Sequence, residues 1–102
     1  MMFRRKEISE QEVQLQVSGS LDRDAAEQFQ LELNSLASGV HKTITLELSE
    51  VPSINSTCIG KILLLRKSLT EQDRAIRISG CSDALYNTFQ LIDLDKRISI
   101  DH

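Results

Sequence analysis

Apolar and polar positions change their rhythm several times along the chain, and each change marks an element. From Glu12 to Gly19, Val13, Leu15 and Val17 alternate with Glu12, Gln14 and Gln16, the period of a half-buried strand. The period then lengthens: Ala26, Phe29, Leu33 and Leu36 recur at helical spacing, with Asp22, Asp24 and Glu27 expected in the first turn and Gly39 closing the helix. Alternation returns at Ile44, Leu46 and Leu48, and Pro52 ends that strand because it cannot donate to a ladder. From Thr57 to Leu69 the pattern is helical again, with Cys58, Ile62, Leu65 and Leu69 on one stripe flanked by Ile59 and Leu63. A third strand is expected at Ala75–Ile78. A third helix follows, capped by Ser82 or Asp83, with Leu85, Phe89 and Ile92 turned inward. Residues 96–100, "KRISI", read as a short last strand, and Phe3–Ile8 as an edge strand.

The order β, α, β, α, β, α, β predicts an α/β domain: a mostly parallel or mixed sheet of four to five strands packed with three to four helices. In such sheets functional groups gather where strands end and helices begin. Two short stretches occupy that position, Asp22 after the first clear strand and Asn55-Ser56-Thr57 after the second.

Composition narrows the chemistry. The 102 residues suit one domain, over 1–102, and carry a net charge of −3. No basic field is present to hold a nucleic-acid backbone, so nucleic acid is not an expected partner. The longest apolar run, Ile62–Leu65, is too short to span a bilayer, and the basic start "MMFRRKEISEQ" has no apolar segment behind it; a cytoplasmic protein without membrane insertion is expected. Cys58 and Cys81 form no CxxC pair, and with only His41 and His102 there is no metal-ligand spacing. Asn55-Ser56-Thr57 matches the N-glycosylation pattern, which has no use in a cytoplasmic chain.

Enzymatic readings find little support. Ser56 lacks the G-x-S-x-G elbow and a histidine placed to serve as its base. "TCIGK" lacks the earlier glycine and the hydroxyl after lysine that a phosphate loop requires, because Ile62 follows Lys61. The paired carboxylates, Asp22 with Asp24 and Asp93 with Asp95, suit caps and turns better than acid–base work. No cofactor and no catalysis are expected. Asn55 or Ser56 is expected to cap the second helix. At 100° per residue, Thr57, Lys61, Leu64 and Ser68 fall opposite its buried stripe, a face suited to docking a protein.

The series of motifs resembles the STAS domain, the fold of bacterial anti-sigma-factor antagonists that is also appended to sulphate transporters. Members show a strand ending in G-x-L-D, matched by Gly19-Ser20-Leu21-Asp22. They then show "hxLDLSxVxxIDSSGLGxL", matched by "ITLELSEVPSINSTCIGKI" from Ile44 to Ile62, and finally "LFxLTGLDKIFxI", matched by "TFQLIDLDKRISI". The resemblance runs over about residues 8–100.

It implies a phosphorylation-switched module that binds an anti-sigma factor, itself a serine kinase, and so frees a sigma factor. A phosphatase would reset the switch. The phosphorylated serine of the antagonists falls on Ser56, with Thr57 as the second hydroxyl. Asp22, Asn55, Ser56, Thr57, Lys61 and Leu64 form the implied partner-binding set. Four departures stand out: Asn55 for the family Asp, Cys58 for the following Gly, Asp73 near a lost Gly, and Ile92-Asp93-Leu94 for T-G-L. The alternative role is an accessory subunit of a membrane lipid-transport ATPase, without phospho-regulation.

Overall fold

The computed structural model describes residues 2–101. Its elements are β1 (Met2–Glu7), β2 (Glu12–Ser18), α1 (Ala26–Ala37), β3 (Thr43–Glu50), α2 (Ser56–Glu71), β4 (Ala75–Cys81), α3 (Asp83–Leu91), a single 3-10 turn (Leu94–Lys96) and β5 (Ser99–Asp101). The five strands lie in sequence order, β1-β2-β3-β4-β5. β1 pairs antiparallel with β2, and every other pairing is parallel. The α/β fold expected from the alternation is the observed one: a five-stranded mixed sheet with three helices.

Adjacent parallel strands joined by right-handed crossovers that all step in one direction put their helices on one side of the sheet. The inward residues of β2, β3 and β4 accordingly share one core with Phe29, Leu33 and Leu36 of α1, Cys58, Ile62, Leu65 and Leu69 of α2, and Leu85 and Phe89 of α3. Among the described residues no helix covers the other side of the sheet. That side carries Gln14, Gln16, Glu47 and Arg77, with Thr45 buried among them and donating to Glu12 Oε2 at 2.7 Å.

Three expectations need correction. Asp22 and Asp24 precede α1, which begins at Ala26 and has only Glu27 as an acid in its first turn. Ile92 is not inward. The chain leaves α3 through Asp93 in the left-handed conformation (φ 58°), so Ile92 swings to solvent and Leu94 enters the core in its place. Lys96 and Arg97 belong to the 3-10 turn and its end, and the last strand starts only at Ser99.

The left-handed residues bear on the family departures. Asp73, after α2, has φ 58° as well, and Arg74 N–H bonds back to Leu69 O at 2.8 Å. Positions where the family pattern carries glycine thus keep glycine's conformation with aspartate in it. Asp tolerates this region better than most residues, at a cost of about 1 kcal/mol relative to Gly.

Candidate functional site: the β3–α2 junction

Past the regular strands, β2 and β3 stay together through a parallel bridge between Leu21 and Ile54. Leu21 N–H donates to Ser53 O and Asn55 N–H to Leu21 O, both at 2.9 Å. Ser53 Oγ reaches Ser20 Oγ at 3.1 Å. The two strand-to-helix junctions are therefore held side by side by main-chain bonds, and the residues that follow the bridge, Asp22 and Asn55, come out on the same edge.

Each then solves its own capping problem. Asn55 sits in extended conformation (φ −91°, ψ 168°) and its Oδ1 accepts from Cys58 N–H at 2.8 Å, so Asn55 is the cap of α2 and Ser56 is its first helical residue. Asp22 Oδ1 accepts from Asp24 N–H at 3.1 Å and Ala25 N–H at 3.2 Å, which shapes the turn leading into α1. Since Asn55 does the capping, neither Ser56 nor Thr57 spends its hydroxyl on a hydrogen bond within the described residues. Both are exposed.

Beneath them Cys58 is fully buried, its Sγ 3.9 Å from Asp22 O. Burial pushes its thiol above the ordinary range, Lys61 pulls it back in part, and Asp22 adds to the rise. The family glycine at this position is thus replaced by a small, protonated, inward residue that adds nothing to the exposed surface. Farther along α2, Lys61 is half-buried rather than free: its Nζ donates to Gln30 Oε1 of α1 at 3.1 Å. With Leu64, Leu65 and Ser68 it lines a groove whose other wall is Gln30, Leu33, Asn34 and Ala37 of α1. Leu64 stands 68% exposed at the rim.

Of the six residues singled out in sequence, Asp22, Asn55, Ser56 and Thr57 come together at the junction, and Lys61 and Leu64 continue from it along α2. Gly60 lies inside α2, one turn after Ser56, and a methyl group there would meet nothing within 4 Å, so packing does not require the roughly 1 kcal/mol that a helix-interior glycine costs against alanine. Among the described residues no cluster of three or more His, Cys, Asp or Glu is arranged to hold a metal ion, and no helix is long and apolar enough to cross a membrane.

Known proteins share this fold. The family model described as "Mlab, STAS domain" matches residues 5–100. The anti-sigma factor antagonist SpoIIAA in its unphosphorylated form superposes with a TM-score of 0.83 at 19% identity, over 99% of this chain and 89% of that one. The Bacillus cell fate determinant SpoIIAA in its phosphorylated form gives 0.76 at 19% identity, over 99% and 92%. A candidate anti-sigma factor antagonist from Thermotoga maritima gives 0.88 at 24% identity, over 98% and 86%. No curated protein matches the sequence significantly. With the family model spanning nearly the whole chain and the mixed sheet, one-sided helices and paired junctions in place, the chain belongs to the STAS domain family.

Proposed function

We propose that the protein is an anti-sigma-factor antagonist: a non-catalytic, cytoplasmic binding module that docks an anti-sigma factor through the start of α2 and is switched off by phosphorylation of Ser56. The observation that carries this reading is an exposed Ser56 at the first position of α2, with Asn55 doing the capping and the Ser56 hydroxyl left without a hydrogen bond among the described residues. SpoIIAA, which shares the fold, has a solved phosphorylated form, which supports modification within this fold.

The physics of the switch is local. A phosphate adds about −1.5 to −2 charges at a helix N-terminus, where the aligned peptide dipoles favour an anion. The domain keeps its fold and the partner meets a new dianion beside Asp22. Gly60 and Leu64 extend the docking face, a gap and an apolar knob in successive turns beyond Ser56. The partner, a serine kinase, supplies ATP and the catalytic groups; a phosphatase returns the binding form.

Incubation with the cognate kinase and ATP, followed by phosphopeptide mass spectrometry, tests the site. Ser56 takes the phosphate, and Ser56→Ala is not modified. Modification of Ser56→Ala at the native rate, or of Thr57 in the native protein, overturns the assignment. Native-affinity binding of the anti-sigma factor by Ser56→Asp overturns the switch.

Two observations favour a second reading, a constitutive accessory subunit of a membrane lipid-transport ATPase. The neutral Asn55 stands where the antagonist pattern has an aspartate next to the serine, and the family model that matches is named for Mlab rather than for an antagonist. That reading predicts co-purification with an ATPase regardless of Ser56 modification.

A further inference from the structure

β1 is the first strand of the sheet, and none of Met2–Glu7 makes a backbone hydrogen bond outside its pairing with β2 among the described residues. The strand is six residues long, against three for β5 at the opposite edge. It is also firmly held. Phe3 stacks on Phe29 of α1 with ring centroids 6.1 Å apart, Arg5 donates to Ser35 Oγ at 2.8 Å, and Glu7 pairs with His41 at 2.7 Å. A long, rigid edge with main-chain groups turned outward is a template for another strand.

Its charge selects which strand. Arg4, Arg5 and Lys6 are consecutive in a chain whose net charge is −3, and none of the three meets a carboxylate within 4 Å among the described residues. Arg4 and Lys6 oppose Gln16 and Gln14, so both lie on the helix-free side of the sheet, exposed. Charges on an edge commonly serve to prevent pairing, and here they do so against a second copy. Any two-fold antiparallel register centred on Arg4, Arg5 or Lys6 sets cations directly opposite cations. An acidic strand meets no such barrier.

We propose that the outer edge of β1 is a second protein-binding surface, which takes an extended acidic segment of a partner as a sixth strand of the sheet. Main-chain bonds would supply the affinity, and carboxylates on alternate residues would reach Arg4 and Lys6 on the helix-free side. The surface is separate from the α2 junction, so both could be occupied together.

The probe is a capped peptide of alternating Glu and Thr, about seven residues long, enough to lie along β1. Backbone amide NMR of the intact protein reads its site. The expected result is saturable shifts at Met2–Glu7, slowed hydrogen exchange of β1 amides, and weakening as ionic strength rises and the Debye length falls from ~30 Å at 0.01 M to ~8 Å at 0.15 M. The exposed double variant Arg4→Glu/Lys6→Glu should fold normally by circular dichroism and bind at least about tenfold more weakly. A peptide methylated on alternate backbone nitrogens should lose binding. Equal binding of the Lys-Thr counterpart, equal binding of the methylated peptide, or shifts confined to α2 would each overturn the proposal.

Discussion

The two ends of the sheet are built differently. At the end where helices finish and strands begin, one side chain gathers three segments. Arg74 donates through Nε to His41 O at 2.7 Å, through one terminal nitrogen to Ala37 O at 2.8 Å and Gln72 Oε1 at 2.9 Å, and through the other to Leu36 O at 3.3 Å. α1 has no basic residue in its last turn, so its open carbonyls are served from a distant part of the sequence. Lys42 adds bonds to Asp73 O and Oδ2. At the opposite end, the junctions before α1 and α2 are closed by main-chain bonds and short polar side chains, and the hydroxyls of Ser56 and Thr57 are left over. One end holds the fold; the other keeps surface available. Substitutions should separate the two duties.

The largest effect is expected at Arg74. Arg74→Ala removes four hydrogen bonds and leaves the end of α1 to water, a loss of about 2 kcal/mol. For a domain of this size that lowers Tm by roughly 10 °C. Arg74→Lys should recover little, because an ammonium cannot reach carbonyls on several segments as a planar fork does. Partner binding at α2, measured below the melting range, should be unchanged. A loss of binding larger than the loss of folded protein would show that the two ends are coupled.

Asn55→Ala comes next, with an expected loss of about 1 kcal/mol from the vacated Cys58 N–H. Asn55→Asp keeps the cap and adds an anion at the helix start, so thermal or urea unfolding should place it at or slightly above the native protein. Equal destabilisation by both would mean that the amide nitrogen, not Oδ1, matters.

This asymmetry also explains what was legible in the sequence. Elements held by periodic burial could be read directly: β2, β3 and the Cys58/Ile62/Leu65/Leu69 stripe follow from alternation or helical spacing alone, and that placed the junction carrying Ser56. What could not be read depends on partners far away in sequence. Arg74 has no local pattern that reveals the end of α1, and the Lys61 bond to Gln30 turns a residue expected to face solvent toward a neighbouring helix. Ile92 faces solvent, and Leu94 fills the core, because a single left-handed residue, Asp93, breaks the helical phase, and an aspartate announces that conformation less clearly than a glycine. The choice between Asn55 and Ser56 as cap needed coordinates, since both residue types cap well.

Gly60 reverses the sign. With open space around its Cα, Gly60→Ala should raise stability by about 0.5–1 kcal/mol through helix propensity alone. If the partner approaches the α2 backbone there, the same methyl group should weaken binding while Tm rises. A rise in Tm with binding unaffected would remove Gly60 from the docking face and leave Ser56 and Leu64.

Ser56 should give the smallest change in folding and so bears most directly on the comparison. An exposed hydroxyl without a hydrogen bond, beside a cap supplied by Asn55, gives Ser56→Ala a stability within about 0.5 kcal/mol of native. Ser56→Asp puts a carboxylate at the positive end of α2 and should stabilise by about 0.3–1 kcal/mol at low ionic strength, an increment that fades as salt is added. The same two substitutions are expected to dominate partner recognition. A site that is nearly silent in unfolding and decisive in binding is what a reversible charge switch requires, because the modified and unmodified forms must both stay folded. If Ser56→Ala instead costs more than about 1 kcal/mol, its hydroxyl serves the helix as a structural group. The division between a holding end and an available end would then fail at the residue on which it most depends.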